Sequence, residues 1–183
     1  MVGIKRNVII GLSLCIVISV FWIAKSKYVP REVYVNRKYG FTVTGPKDWR
    51  KQLGSRGSKG IVVFIESFDT TLPRLGVTID KAGDAKTVLK YANLTIRDLK
   101  NKARKRQLRL RILERPHEIT INGIKGAKFI YEIAGLIDVK HIDCKFMKKG
   151  LVFSVMGASY SDDFKNYLKD FENTINSFSF LKK

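Results

Sequence analysis

Between Leu108 and Ala158 the chain alternates apolar and polar residues in runs separated by tight-turn signals, and this succession constrains the fold more than any other feature. Leu108, Leu110 and Ile112 alternate with arginines. Glu118 to Ile121 and Ala127 to Ile133 flank Asn122-Gly123, and Asp138 to Met147 meets Leu151 to Ala158 across Lys148-Lys149-Gly150. Side chains two apart share one face of a strand, and Asn-Gly supplies the positive φ angles of a two-residue hairpin turn. The segment reads as consecutive hairpins, with Gly126 as a candidate bulge.

The first half continues the pattern. Val33 and Val35 alternate with Tyr34 and Asn36, Arg37 to Gly40 makes a turn, and Phe41 to Thr44 returns as a second strand. Gly45-Pro46 ends that hairpin and leaves Trp49 after a bend, as a core residue. Ile61 to Phe68 is a strand, 69–74 a turn, and Leu75, Val77 and Ile79 mark a fourth strand. Gly54, Gly57 and Gly60 with Arg56 and Lys59 could cradle a phosphate, but no G-x-x-x-x-G-K-[ST] spacing is present and a strand follows. This stretch reads as a hairpin loop.

Two helices are predicted. Asp84 stands as the N-cap of the first, whose apolar face carries Val88, Tyr91, Ala92, Thr95, Ile96, Leu99 and Ala103 at three- and four-residue spacing. Asn93-Leu94-Thr95 matches a glycosylation sequon but falls in mid-helix. Ser161 stands as the cap of the second, with Asp162 and Asp163 at its positive end and Phe164, Tyr167, Leu168, Phe171 and Ile175 as its buried stripe. Ser177-Phe178-Ser179-Phe180 closes the chain as a strand.

Ahead of this domain lies the charge-free run Val8 to Ala24, preceded by Lys5 and Arg6. At 1.5 Å per residue it covers ~26 Å as a helix, and its flanks extend that to a ~30 Å bilayer core. The chain is therefore divided into a basic N-terminus (1–7), a transmembrane anchor or signal peptide (8–24), a stalk (25–31) and a globular domain (32–183). Phe21-Trp22 favours an interfacial anchor, whereas Ala24-Lys25-Ser26 satisfies a small-x-small cleavage rule, so secretion after cleavage near Ser26 is the alternative. Cys15 lies inside the run and Cys144 in a strand, so no disulfide framework is expected.

Charge bounds the partners. The 35 Lys and Arg against 16 Asp and Glu give +19, or +17 once Lys5 and Arg6 are set aside. Such a field favours anionic headgroups, envelope polymers, nucleic acid or an acidic protein. Its local maximum is the end of the first helix and the strand after it, and the candidate anion- or partner-binding residues are Arg97, Lys100, Lys102, Arg104, Lys105, Arg106, Arg109 and Arg111. A solvated face is the plainer reading of such a run. No aromatic residue is interleaved to stack bases, so nucleic acid is not the expected partner.

Catalytic material is thin. The only histidines are His117 and His141, and His141 and Cys144, three apart on a strand, face opposite ways. Gly157-Ala158-Ser159-Tyr160-Ser161 lacks the second glycine of a nucleophile elbow, and no C-x-x-C, H-x-x-x-H or EF-hand spacing occurs. The expectation is a non-enzyme without a metal or catalytic site, unless a pocket gathers Glu66, Asp138 or a perturbed histidine.

Tyr39-Gly40-Phe41-Thr42-Val43-Thr44-Gly45-Pro46-Lys47-Asp48-Trp49 resembles the opening of the PsbP family and its Mog-like relatives, an aromatic-Gly-Phe strand followed by a Pro turn and a Trp. Asn122-Gly123 leading to Ala127, Phe129 and Tyr131 is similar to that family's central hairpin, and Phe164 to Phe180 to its closing helix and Ser-Phe strand. The resemblance covers roughly Lys38 to Leu181. It implies an α+β fold with an antiparallel sheet flanked by helices, an α-β-α sandwich, and a non-catalytic extrinsic or assembly role, with weak calcium binding as its only cofactor. Gly45 and Asp48 depart from the family's usual residues, and no ligand residue carries over. The expected function is a membrane-anchored, non-catalytic binding or accessory domain on the extracytoplasmic side of a bacterial membrane. The alternative is a cytosol-facing binder of nucleic acid or an acidic partner through the basic patch.

Overall fold

The structure, a computed structural model, describes residues 32–54, 60–66 and 72–182. The chain divides into two compact units, Met1–Pro30 and Arg31–Lys183, and all described residues belong to the second. The predicted anchor, the stalk and Cys15 lie outside them. No helix among the described residues is long and apolar enough to cross a membrane.

The elements in order are β1 (Val33–Asn36), β2 (Phe41–Thr44), β3 (Arg50–Leu53), β4 (Gly60–Ile65), β5 (Arg74–Lys81), α1 (Val88–Lys105), β6 (Arg109–Ile121), β7 (Ile124–Ala134), β8 (Val139–Lys148), β9 (Leu151–Tyr160), α2 (Phe164–Ser177) and β10 (Ser179–Phe180). Seven strands form one antiparallel sheet in the order β3-β4-β5-β9-β8-β7-β6, and β1-β2-β10 form a smaller one. The helices take opposite faces of the large sheet. Val88, Ala92 and Ile96 of α1 pack on Ala127, Phe129 and Tyr131. Phe164, Phe171 and Ile175 of α2 join Ile142, Cys144, Phe146, Phe153 and Val155 in a second core, completed by Phe41, Val43 and Phe178 of the small sheet and the segment leading into it. Alternation along β7 and β8 thus serves two cores at once, which is the layered arrangement expected of an α+β sandwich.

The predicted hairpins form where the turn chemistry allows positive φ. Asn122 and Gly123 have φ of 50° and 77°, and Lys149 and Gly150 have φ of 50° and 73°, as a two-residue type I′ connection requires. Trp49 is buried, with ring centroids 6.0 Å from Tyr167 and 6.2 Å from Phe171.

Three local expectations need correction. Asp84 does not cap α1: residues 82–85 close a turn through Ala85 N–H to Ala82 O, and the cap is Thr87, extended at φ −132°, whose Oγ1 accepts from Lys90 N–H at 3.2 Å. Ser161 does not cap α2. Its N–H still donates to Asp138 O beside the β8–β9 ladder and its hydroxyl donates to Glu132 Oε1 at 2.7 Å, while Asp163 holds the cap position without a side-chain bond. Gly126 is no bulge, since it pairs in register with Ile119 and Phe146. A Cβ there would lie 2.9 Å from Lys145 O and from the Phe146 ring, so close strand packing explains the glycine. Apart from a register shift between Gly60 and Val62 of β4, the bulges lie on β6, between Ile112 and Glu114 and between Glu114 and His117. The second contains Pro116, which has no N–H to offer a ladder.

Candidate functional site

The fold sorts the predicted basic residues into separate sets. Ala92, Ile96 and Ala103 fill the buried side of α1, which turns Arg97, Lys100, Arg104 and Lys105 outward, and Arg106 follows as the C-cap. These five are exposed and form no ion pair among the described residues. Lys102 is paired along the helix with Asp98 at 3.5 Å. Arg109 and Arg111 belong elsewhere: they alternate with Leu110 and Ile112, which pack beneath α1, so the arginines leave the other face of β6. Arg111 reaches the buried Glu132 at 2.9 Å, and Lys140 lies 4.0 Å from the same carboxylate. The five outward cations of the α1 end therefore form the open basic surface, while Lys102 and Arg111 are partly neutralised.

A second polar group, absent from the sequence reading, lies under α1. Asp143 and Lys145 are buried on one face of β8, where Lys145 Nζ donates to Asp143 Oδ2 at 3.0 Å and to Ser154 Oγ at 2.8 Å. The ammonium also stands over the rings of Tyr91 (5.7 Å) and Phe129 (5.6 Å). Burial pushes the Asp143 carboxyl upward and Lys145 pulls it back. Its Oδ1 has no hydrogen-bond partner among the described residues. Opposite charges two apart between Ile142, Cys144 and Phe146 were the available signal, since i and i+2 on a strand share a face.

The groups named for catalysis stay apart. His141 stacks flat on Tyr131 at 4.6 Å with an interplanar angle of 4°, and burial together with the Arg74 charge lowers its pKa to about 4, so the ring is neutral. Cys144 faces the α2 core, where burial pushes its thiol well above the ordinary range. Glu66 accepts from the Tyr167 hydroxyl at 2.9 Å, and Asp138 accepts from Gly135 N–H at 3.1 Å. His141 lines a hollow of about 320 Å³ with Arg74 and otherwise aliphatic or glycine residues, including Leu108 and Ile137. Neither Glu66 nor Asp138 lines it, and it holds no serine or cysteine for the histidine to activate. Among the described residues no three His, Cys, Asp or Glu side chains are grouped to hold a metal ion.

No protein-family model and no curated protein sequence matches the chain. Solved structures do match. The solution structure of PsbP from the cyanobacterium Synechocystis sp. PCC 6803 superposes with a TM-score of 0.65 at 16% identity, over 84% of this chain and 95% of that one. LpqN of Mycobacterium tuberculosis, described as involved in cell envelope biogenesis, gives 0.57 at 11% identity over 86% and 94%. A protein of Bacteroides thetaiotaomicron gives 0.51 at 12% identity over 85% of this chain and 50% of that one. At these identities the likeness shows the fold alone, and the fold is PsbP-like.

Proposed function

We propose that the protein is a membrane-anchored accessory domain on the extracytoplasmic side of a bacterial envelope, and that it works by binding rather than by turnover. The observation that carries this reading is the open basic surface of α1: Arg97, Lys100, Arg104, Lys105 and Arg106 face solvent with no carboxylate partner among the described residues. Each basic side chain held near an anionic leaflet contributes about 1 kcal/mol, an attraction that falls off within a Debye length. The run Val8 to Ala24 would hold the domain there, because the segment 25–31 reaches only ~25 Å even when fully extended. Anionic headgroups, or an acidic protein in the same layer, are the partners this charge selects. His141 and Cys144 face opposite sides of the sheet, and no serine lines the hollow at His141, which supports a non-catalytic role. LpqN, a fold neighbour tied to the cell envelope, adds support for the compartment.

The test is membrane fractionation of cells carrying the full chain with a topology reporter fused after Lys183. An extracytoplasmic reporter in the membrane fraction is expected. A cytosolic reporter overturns the reading and leaves a cytosol-facing binder.

A further inference from the structure

A second basic site lies at the other end of the sheet and draws on none of the residues above. β8 runs from the loop beside the Arg109–Ala134 pair to the Lys149-Gly150 turn, so this turn is remote from the α1 C-terminus. There a hollow of about 380 Å³ opens between three stretches far apart in sequence, 37–40, 148–153 and 181–182. The fold draws them together by backbone bonds. Tyr39 N–H donates to Asn36 Oδ1 at 2.9 Å and Gly40 N–H to Asn36 O at 2.8 Å, which shapes the β1–β2 turn. Leu181 N–H donates to Gly40 O at 2.9 Å, which lays the C-terminal segment on that turn.

The hollow is lined by Arg37, Lys38, Lys148, Lys149 and Lys182, and by no acidic residue. None of the five forms an ion pair among the described residues. The contacts they do make are with rings: Lys148 Nζ stands 4.4 Å from the Phe180 ring centroid and Lys38 Nζ 5.2 Å from that of Tyr39. Tyr39, Leu151 and Phe153 supply an apolar floor. Five cations around one concavity repel each other, and an anion seated among them turns that repulsion into attraction. The polar side chains that could reach such an anion can all donate, the Tyr39 hydroxyl included, and Arg37 adds a planar fork suited to phosphate oxygens.

We propose that this hollow binds a phosphate-bearing ligand with two or more negative charges, its phosphates held by Arg37, Lys38, Lys148, Lys149 and Lys182 and its organic part resting on Tyr39 and Leu151. This extends beyond the α1 surface and holds whether or not the chain is anchored. Such a group occurs both on soluble phosphate esters and on lipid headgroups.

The experiment follows lysine acylation, residue by residue, in the full chain held in detergent micelles at low ionic strength. One arm adds inorganic pyrophosphate. The other compares mixed micelles carrying cardiolipin with micelles carrying only phosphatidylcholine. Saturable slowing at Lys38, Lys148, Lys149 and Lys182 is expected, with exposed Lys165 and Lys169 of α2 as internal controls. Combining Arg37→Gln with Lys149→Asn should raise the half-protecting concentration by at least roughly tenfold, about what one charged hydrogen bond contributes. Both positions are exposed, and asparagine tolerates the positive φ of Lys149. Protection by pyrophosphate identifies a soluble ester, and protection by cardiolipin alone a lipid headgroup. No slowing in either arm, equal slowing at Lys165 and Lys169, or protection unchanged in the double variant overturns the proposal.

Discussion

Trp49 shows what a single side chain does for this fold. It reaches its site from Asp48, held at φ 67°, and lies edge-on to Tyr167 and Phe171, so it joins the segment before β3 to α2. Trp49→Ala is expected to cost ~3–5 kcal/mol in denaturant unfolding, the range for a large aromatic lost from a core. His141 sets a pH limit. Its folded pKa of about 4 lies below the ordinary histidine value of 6.5, so from about pH 6.5 down to about 4 the unfolded chain takes up a proton that the folded one refuses. Stability is therefore lost as pH falls through that window, by up to roughly 3 kcal/mol. Asp143, with its pKa raised by burial, acts in the opposite sense on acidification. His141→Phe keeps the stacking on Tyr131 and should flatten the acid slope of unfolding free energy measured at several pH values. Lys145 is expected to be the least replaceable lysine: Lys145→Ala strands the Asp143 carboxylate and should cost ~3–5 kcal/mol, whereas Asp143→Leu with Lys145→Met should recover most of it.

At the scale of elements, capping is the sharpest test. Thr87→Ala should destabilise the domain by ~0.5–2 kcal/mol through loss of the bond to Lys90 N–H, while Asp84→Ala should stay within about 0.5 kcal/mol, both read from thermal or denaturant unfolding. Asp84 and Thr87 are both good cap residues shortly before an apolar stripe, and the sequence pattern alone favours the wrong one. What separates them is the turn that ties Ala85 N–H to Ala82 O and uses up Asp84's neighbourhood. The strands divide in a similar way. Phe41 to Thr44 and Leu75 to Ile79 were legible because their alternation buries one face. Arg50-Lys51-Gln52-Leu53 carries no such alternation and was missed. It is an edge strand whose place comes from pairing with β4, and its side chains stay largely at the surface.

At the scale of the whole molecule, charge dominates. The chain carries +19, and the domain holds two basic surfaces, at α1 and at the hollow by Lys149, whose cations form no ion pair with a carboxylate among the described residues, Lys102 apart. Self-repulsion of this kind weakens the compact state and is screened by salt. Raising NaCl from ~20 mM to ~0.5 M should raise the melting temperature by about 2–4 °C, the shift that ~1 kcal/mol produces in a domain of this size. A melting point that falls or stays level would mean that the cations are locally compensated.

By itself the sequence determined the hairpins, the two amphipathic helices and the α+β class, because periodicity and turn chemistry act over a few neighbouring residues and survive without tertiary context. It also determined the net charge and the lack of a nucleophile beside a base within any one motif. Only the tertiary structure decided which charges meet. It placed Arg109 and Arg111 on the sheet face away from α1, paired Asp143 with Lys145 under a helix, and gathered Arg37, Lys149 and Lys182 around one hollow. Charges attract, repel and bind through distances in space, and residues from three distant stretches have no such distance until the β1–β2 turn, the β8–β9 turn and the C-terminal segment close on one another.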